Sequence, residues 1–349
     1  MPSNRRQILS GAAMMLPLVA SPARAETKCE RVSPRSFPIP STASPELQAQ
    51  IATPVGSQWR LTPASKKVWH EIVNTSTAII EKRIADWPQK YRVTVREDHI
   101  GGVRVYWVLP DVIPQSNRER LLVNFHGGAY VFAPGRSCLE DAILMASRGF
   151  RVVTVDYRMA PDFPYPAAID DAETVWRYFV GKIDPRRLGV FGTSTGGGMT
   201  LALVHRAKRK NLPLPGAIWA GTPWSDLTET GDSYFTNQYV DDALVSYKGI
   251  LEAAAKAYAG GHDMREPELS PVYGDFSYFP PTILTTGTRD LFLSNTVRVH
   301  RKLRDAGITA ELTVIEALSH AQFVALPNSP ESHQVYGDAV NFFSRTLAV

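Results

Sequence analysis

Five short apolar runs constrain this chain more than any other feature: Leu121-Leu122-Val123-Asn124-Phe125, Val152-Val153-Thr154-Val155, Leu188-Gly189-Val190-Phe191, Ala217-Ile218-Trp219-Ala220 and Thr282-Ile283-Leu284-Thr285. Stretches with helical spacing separate them. A strand with one wet face alternates apolar and polar residues, whereas these runs are apolar almost throughout. They therefore read as strands buried on both faces of a mostly parallel sheet, with the intervening helices as crossovers. Glu311 to Ala317 adds a last strand and His333 to Leu347 a closing helix. Upstream, Tyr91 to Glu97 and Val103 to Leu109 alternate around His99-Ile100-Gly101-Gly102, the pattern of a half-buried hairpin. Val68, Ile72, Val73, Ile79, Ile80 and Ile84 recur at helical spacing and predict a helix over Ser65 to Asp86 packed on that face. One interval breaks the rhythm: about 60 residues separate Ala220 from Thr282, and the spacing in Tyr247 to Tyr258 predicts a helix inside this insertion.

A chain of 349 residues that is 44% hydrophobic and 21% charged is ordinary globular material, which excludes a disordered tail, a collagen and a coiled coil. It is long enough for one large α/β domain with an insertion, or for two domains, without help from disulfides or metals. The first 25 residues have a basic start, an apolar middle from about Ile8 to Ala20 and an Ala23-Arg24-Ala25 ending, the order of an export peptide cut after Ala25. The apolar middle is interrupted by Pro17 and falls short of the ~20 residues a spanning helix needs, so no lasting membrane anchor is expected. Arg5-Arg6 followed by Gln7, Ile8 and Leu9 resembles the twin-arginine export motif, with Asn4, Ile8 and Ser10 departing from it. The expected location is therefore periplasmic or secreted. Removing the three arginines of this segment takes the formal charge from +4 to +1, which leaves no electrostatic case for nucleic acid. In an oxidising compartment Cys29 and Cys138 either pair or remain two free thiols; their spacing suits no metal. Residues 26 to about 62, rich in Pro, Ser and Thr, read as an arm laid over the rest.

Gly192-Thr193-Ser194-Thr195-Gly196 follows one of the buried runs directly and opens the helical stretch Gly197 to Lys208. A strand turning sharply into a helix strains the central backbone and tolerates only small neighbours, so the glycines are its steric condition. Such a turn lifts the Ser194 hydroxyl off the sheet and places a helix N-terminus behind it. His126-Gly127-Gly128-Ala129-Tyr130 follows an earlier run, where an acyl-transfer hydrolase of this architecture carries the loop that donates N–H groups to an oxyanion. Gly127, Gly128 and Thr195 are the expected donors, and His126 a residue that shapes the loop.

A base and its carboxylate must follow Ser194 in such a fold. Three histidines lie past Thr285. His300 sits in a helical run full of Arg and Lys, and His333 opens the last helix; His320 alone lies in a loop just after a strand, on the sheet edge that carries Ser194. Asp290 likewise follows a strand and can orient the imidazole. Asp226 is the alternative carboxylate, its competing role being to cap the inserted segment. Tyr130, Trp224 and Phe292 border catalytic loops and are the candidate walls of an apolar substrate pocket, with core packing as the other reading.

His126-Gly127-Gly128-Ala129, Asp156-Tyr157-Arg158-Met159-Ala160-Pro161 with Pro164, Pro166-Ala167-Ala168 and Asp170-Asp171, and Gly192-Thr193-Ser194-Thr195-Gly196-Gly197 together resemble the hormone-sensitive-lipase-like family of bacterial α/β-hydrolases, the family IV esterases, in its Gly-Thr-Ser branch. Ser270-Pro271, Pro280-Pro281 and Gly287 to Leu291 are similar as well, so the resemblance runs from about Tyr91 to the C-terminus. It implies an α/β-hydrolase fold with an eight-stranded, mostly parallel sheet, helices on both faces and a helical cap. The implied order is a signal at 1–25, an N-terminal arm and cap helices at 26–90, core at 91–224, an inserted cap segment at 225–270 and core again at 271–349. It also implies the triad Ser194, Asp290 and His320, hydrolysis of short or medium acyl esters, small-molecule ester substrates, and no metal or cofactor. Three departures stand out: Thr193 for the more frequent Asp, Thr195 for Ala, and His320-Ala321-Gln322-Phe323 with one residue more than the common His-Gly-Phe. Lactone, amide or polymer-ester cleavage would use the same parts, and a non-catalytic ligand-binding member of the fold is the reading from another class. The sequence leaves a homodimer open.

Overall fold

The computed structural model describes residues 37–348; the export segment and Cys29 lie outside the described residues. In chain order the helices are α1 (Pro45–Ala52), α2 (Lys66–Ile84), α3 (Trp87–Lys90), α4 (Glu140–Ala146), α5 (Ala167–Val180), α6 (Thr195–Arg209), α7 (Ser233–Thr236), α8 (Ile250–Ala259), α9 (Leu293–Asp305), α10 (Gln322–Ala325) and α11 (Pro330–Thr346). The strands are β1 (Val93–Ile100), β2 (Val103–Pro110), β3 (Leu121–Phe125), β4 (Val152–Val155), β5 (Leu188–Thr193), β6 (Ala217–Gly221), β7 (Thr282–Gly287) and β8 (Ala310–Ile315). They form one eight-stranded sheet in the order β1-β2-β4-β3-β5-β6-β7-β8. Only β2 runs against its neighbours; every pair from β4 to β8 is parallel.

The five apolar runs are strands β3 to β7, and successive side chains feed opposite layers. Leu121, Val123 and Phe125 join one hydrophobic cluster with Leu201 and Val204 of α6 and Val175 and Trp176 of α5. Leu122, Phe191 and Trp219 join the other, with Ile143 and Met145 of α4 and Phe342 and Phe343 of α11. A sheet covered on both sides has no wet face, which is why its strands carry no polar alternation.

Ser65 caps helix α2, its hydroxyl accepting the Val68 N–H, and the helix buries most of the face its spacing suggests, with Ile72, Val73 and Ile80 half-buried. Trp69 and Ile84 are buried, while Val68 is 37% and Ile79 63% exposed. Trp69 sets the orientation by packing edge-on against Phe132 beside the core, which turns Val68 outward. No helix among the described residues is long and apolar enough to cross a membrane. Cys138 is a buried free thiol, and burial pushes its ionisation well above the usual thiol range.

Candidate active site

Strand register assembles the site. In the parallel pair β3/β5, Phe125 lies opposite Gly192, so His126-Gly127-Gly128 after β3 and Ser194 after β5 emerge side by side. Strand β6 pairs Gly221 with Thr193, and β7 pairs Gly287 with Ile315 of β8. The loops carrying Ser194, Asp290 and His320 therefore leave the same carboxyl edge of the sheet.

Ser194 sits at φ 63°, ψ −124°, a strained conformation for a residue with a side chain. Backbone bonds hold it there: its N–H donates to Gly221 O at 2.9 Å, and its carbonyl accepts the Trp224 N–H at 2.9 Å. A Cβ on Gly196 would fall 1.9 Å from the Phe125 carbonyl oxygen, so the elbow admits only glycine there. The Ser194 hydroxyl donates to His320 Nε2 at 2.8 Å, and His320 Nδ1–H donates to Asp290 Oδ1 at 3.0 Å. Asp290 is fully buried and also accepts from Phe292 N–H at 2.8 Å and the Thr286 hydroxyl at 2.8 Å. With Nδ1 committed as a donor to a carboxylate, Nε2 is the acceptor, the tautomer that can take a proton from serine.

The oxyanion loop abuts this series. A Cβ on Gly127 would lie 3.2 Å from Ser194 Cβ, and Gly128 has φ +119°, which disfavours any side chain. Among the described residues the N–H groups of Gly127, Gly128 and Thr195 have no protein acceptor. His126 is 3% exposed and donates Nδ1–H to the Gly127 carbonyl at 2.7 Å. Its ring stacks on Tyr157 at 4.1 Å, and burial drives its pKa down, so it remains a neutral strut.

Asp226 is buried but does not reach the imidazole. It accepts from Arg298 Nη1 at 2.5 Å, the Tyr273 hydroxyl at 3.0 Å and both the N–H and hydroxyl of Thr228, which ties the start of the insertion to α9. His300 is half-buried in α9 and His333 exposed on α11. The three aromatics expected as pocket walls are buried: Tyr130 is 1% exposed, Trp224 and Phe292 0%. Tyr130 stacks on Tyr258 of α8 at 3.7 Å, Trp224 stacks on Phe292 at 5.4 Å, and Phe292 presents its edge to the His320 ring at 4.7 Å. Each ring thus lies beneath the loop it borders and backs that loop up. A groove of about 830 Å³ between α2, the β1–β2 turn and residues 156–163 includes none of Ser194, His320 and Asp290, and its carboxylates are engaged by Arg104, Arg158, His70 and Lys66.

The Tyr-Arg-x-Ala-Pro block has a structural role that its residue types do not announce. The Tyr157 hydroxyl donates to the His126 carbonyl at 2.7 Å, Ala160 N–H donates to Tyr130 O at 3.0 Å, and Arg158 holds Asp171 of α5 through two nitrogens. The block straps the oxyanion loop from outside. Ala321, where the family commonly has glycine, takes a left-handed backbone at φ 54°. The extra residue, Gln322, accepts the Ser319 N–H at 2.7 Å and donates to Asp242 Oδ1 at 2.6 Å, anchoring the histidine loop to the insertion.

The α/β hydrolase fold family matches residues 122–324 of this chain. An esterase of Acinetobacter venetianus is 29% identical over 303 residues, spanning 85% of this chain and 93% of that protein. The crystal structure of an esterase designated E25 aligns with a TM-score of 0.89 at 36% identity, covering 92% of this chain and 99% of the other. That of an esterase from the bacterial hormone-sensitive lipase family aligns with a TM-score of 0.74 at 25% identity, covering 87% and 99%. With that match over its core and these relatives over nearly its whole length, the chain belongs to the α/β hydrolases, among the hormone-sensitive-lipase-like bacterial esterases.

Proposed function

We propose that this carboxylic ester hydrolase is an exported enzyme that cleaves short- to medium-chain acyl esters through an acyl-enzyme on Ser194. The observation that carries the reading is the hydrogen-bonded series from the Ser194 hydroxyl through His320 to buried Asp290. In this mechanism Ser194 Oγ attacks the ester carbonyl as its proton passes to His320 Nε2. Asp290 holds the ring in the productive tautomer and stabilises the imidazolium. The tetrahedral oxyanion takes up the N–H groups of Gly127, Gly128 and Thr195, each such donor contributing about 3 kcal/mol to the transition state. His320 then protonates the leaving alkoxide, and water, activated by the same imidazole, releases the acid and frees Ser194.

The substrate is a small-molecule ester, and the preference for modest acyl length rests on the family resemblance. Export rests on the order of basic, apolar and small residues in the first 25 positions. The test is a p-nitrophenyl ester series from acetate to palmitate on purified protein. We expect kcat/KM to peak between acetate and octanoate and to collapse at palmitate; a maximum at palmitate would overturn the acyl-length assignment. N-terminal sequencing of the protein recovered from the periplasm should begin at Glu26, and recovery of uncut chain in the cytoplasm alone would reject export.

A further inference from the structure

The segment between β6 and β7 meets the loops that carry Asp290 and His320 through residues 237–242. Asp241 of this segment has a fully buried carboxylate that accepts four backbone N–H groups. Oδ1 accepts from Ala243 at 2.8 Å and Leu244 at 3.0 Å, which closes a turn within the insertion. Oδ2 accepts from Leu291 at 2.7 Å and from His320 at 3.3 Å. Leu291 directly follows the triad aspartate, and His320 is the base itself. One oxygen thus ties together the two loops whose separation sets the imidazole between hydroxyl and carboxylate.

Neighbouring residues brace the same arrangement. Asn237 Nδ2 donates to the carbonyl of Asp290 at 2.8 Å and to that of Thr288 at 3.2 Å. Asp242 N–H donates to the Ser319 hydroxyl at 3.3 Å, and the Asp242 carboxylate receives the Gln322 amide. None of these groups touches the expected position of the ester. They act through the acid and base loops.

We propose that Asp241 is a positioning residue for ester hydrolysis, which fixes the acid and base loops against each other and lays a second negative charge beside the imidazole. This rests on the reading of Ser194, His320 and Asp290 as the triad. The titratable groups facing its carboxylate are Asp290 on one loop and His320 on the other, while adjacent Asp242 faces Arg289. Burial, then the charge of Asp290, holds the Asp241 carboxyl up at about 6, so the clamp is anionic above neutrality. An anion beside an imidazole favours its protonated form, the form that develops as serine attacks.

The test compares the wild type with Asp241→Ala and Asp241→Asn in p-nitrophenyl butyrate hydrolysis across pH, with thermal melts to establish folding. Asp241→Ala should lower kcat by about 10²-fold with KM within about twofold, the signature of misplaced catalytic groups rather than lost substrate contacts. Asp241→Asn keeps one oxygen for the Leu291 and His320 N–H groups but loses the charge. It should lose less kcat, and the acid limb of its kcat/KM profile should move to lower pH, a displacement that a merely structural residue would not produce. Should the alanine variant fail to fold, the asparagine variant decides alone. Wild-type kcat in the folded variants, a loss confined to KM, or an unmoved acid limb in Asp241→Asn would overturn the proposal. A wild type inert toward every ester would instead reject the triad beneath it, so the two failures are distinguishable.

Discussion

Tyr157 donates its phenol to the backbone carbonyl of His126 at 2.7 Å and stacks beneath that histidine's ring. The hydrogen bond runs from the end of β4 to the end of β3, so Tyr157 holds the loop whose N–H groups are the proposed oxyanion donors. Tyr157→Phe keeps the stacked ring and removes only the bond. It should lower kcat about tenfold with little change in KM, because the loss falls on a group used in the transition state. Steady-state kinetics on p-nitrophenyl butyrate measure this; an unchanged kcat would show that packing alone holds the loop.

Exchanging the two candidate carboxylates separates catalysis from architecture. Asp290→Asn should reduce kcat by about 10⁴-fold, since an amide at that place favours the wrong imidazole tautomer. Asp226→Ala should retain most activity but destabilise the fold by about 2 kcal/mol, because it leaves Arg298, part-exposed, and the Tyr273 hydroxyl without their buried acceptor. Parallel urea melts and rate assays give both numbers, and the reverse order of activity losses would reassign the acid.

Much of this arrangement was readable from residue order. Both-face burial makes the runs at Leu121, Val152, Leu188, Ala217 and Thr282 nearly continuous in apolar residues, and a sharp strand-to-helix turn requires the glycines around Ser194. Both are local demands, and local demands leave a pattern. The clamp made by Asp241 leaves none: the partners of its Oδ2 lie 50 and 79 residues away and are backbone N–H groups, which every residue except proline carries. Tyr157 is equally silent, since its partner is a carbonyl 31 residues upstream. At the start of α2, Val68 and Trp69 compete for the inward position, and only the contact with Phe132 decides between them. Tyr130, Trp224 and Phe292 are legible as neighbours of the Ser194, Asp290 and His126 loops, but chain position does not say whether an aromatic ring faces substrate or core.

The charge on Asp241 also predicts a pH dependence of stability. Its folded pKa is raised to about 6 from the usual 3.8, chiefly by burial, so between those values the native state binds more of a proton than the unfolded chain. Stability from this group is therefore present at low pH and lost as pH rises through about 6. Relative to Asp241→Asn, which cannot ionise there, the wild type should lose ground steadily from pH 4 to pH 6 and then hold a constant difference. Urea unfolding of both proteins at several pH values tests this; a difference independent of pH would mean that the carboxylate is not held up by its surroundings.

The most direct measurement of the central claim is covalent labelling of the folded protein with a fluorophosphonate, followed by peptide mapping. A single adduct on Ser194 is expected, formed rapidly in the wild type, greatly slowed in His320→Ala and absent from Ser194→Ala, which should fold but hydrolyse no p-nitrophenyl butyrate. An adduct on another residue, or ester hydrolysis that survives Ser194→Ala, would contradict it.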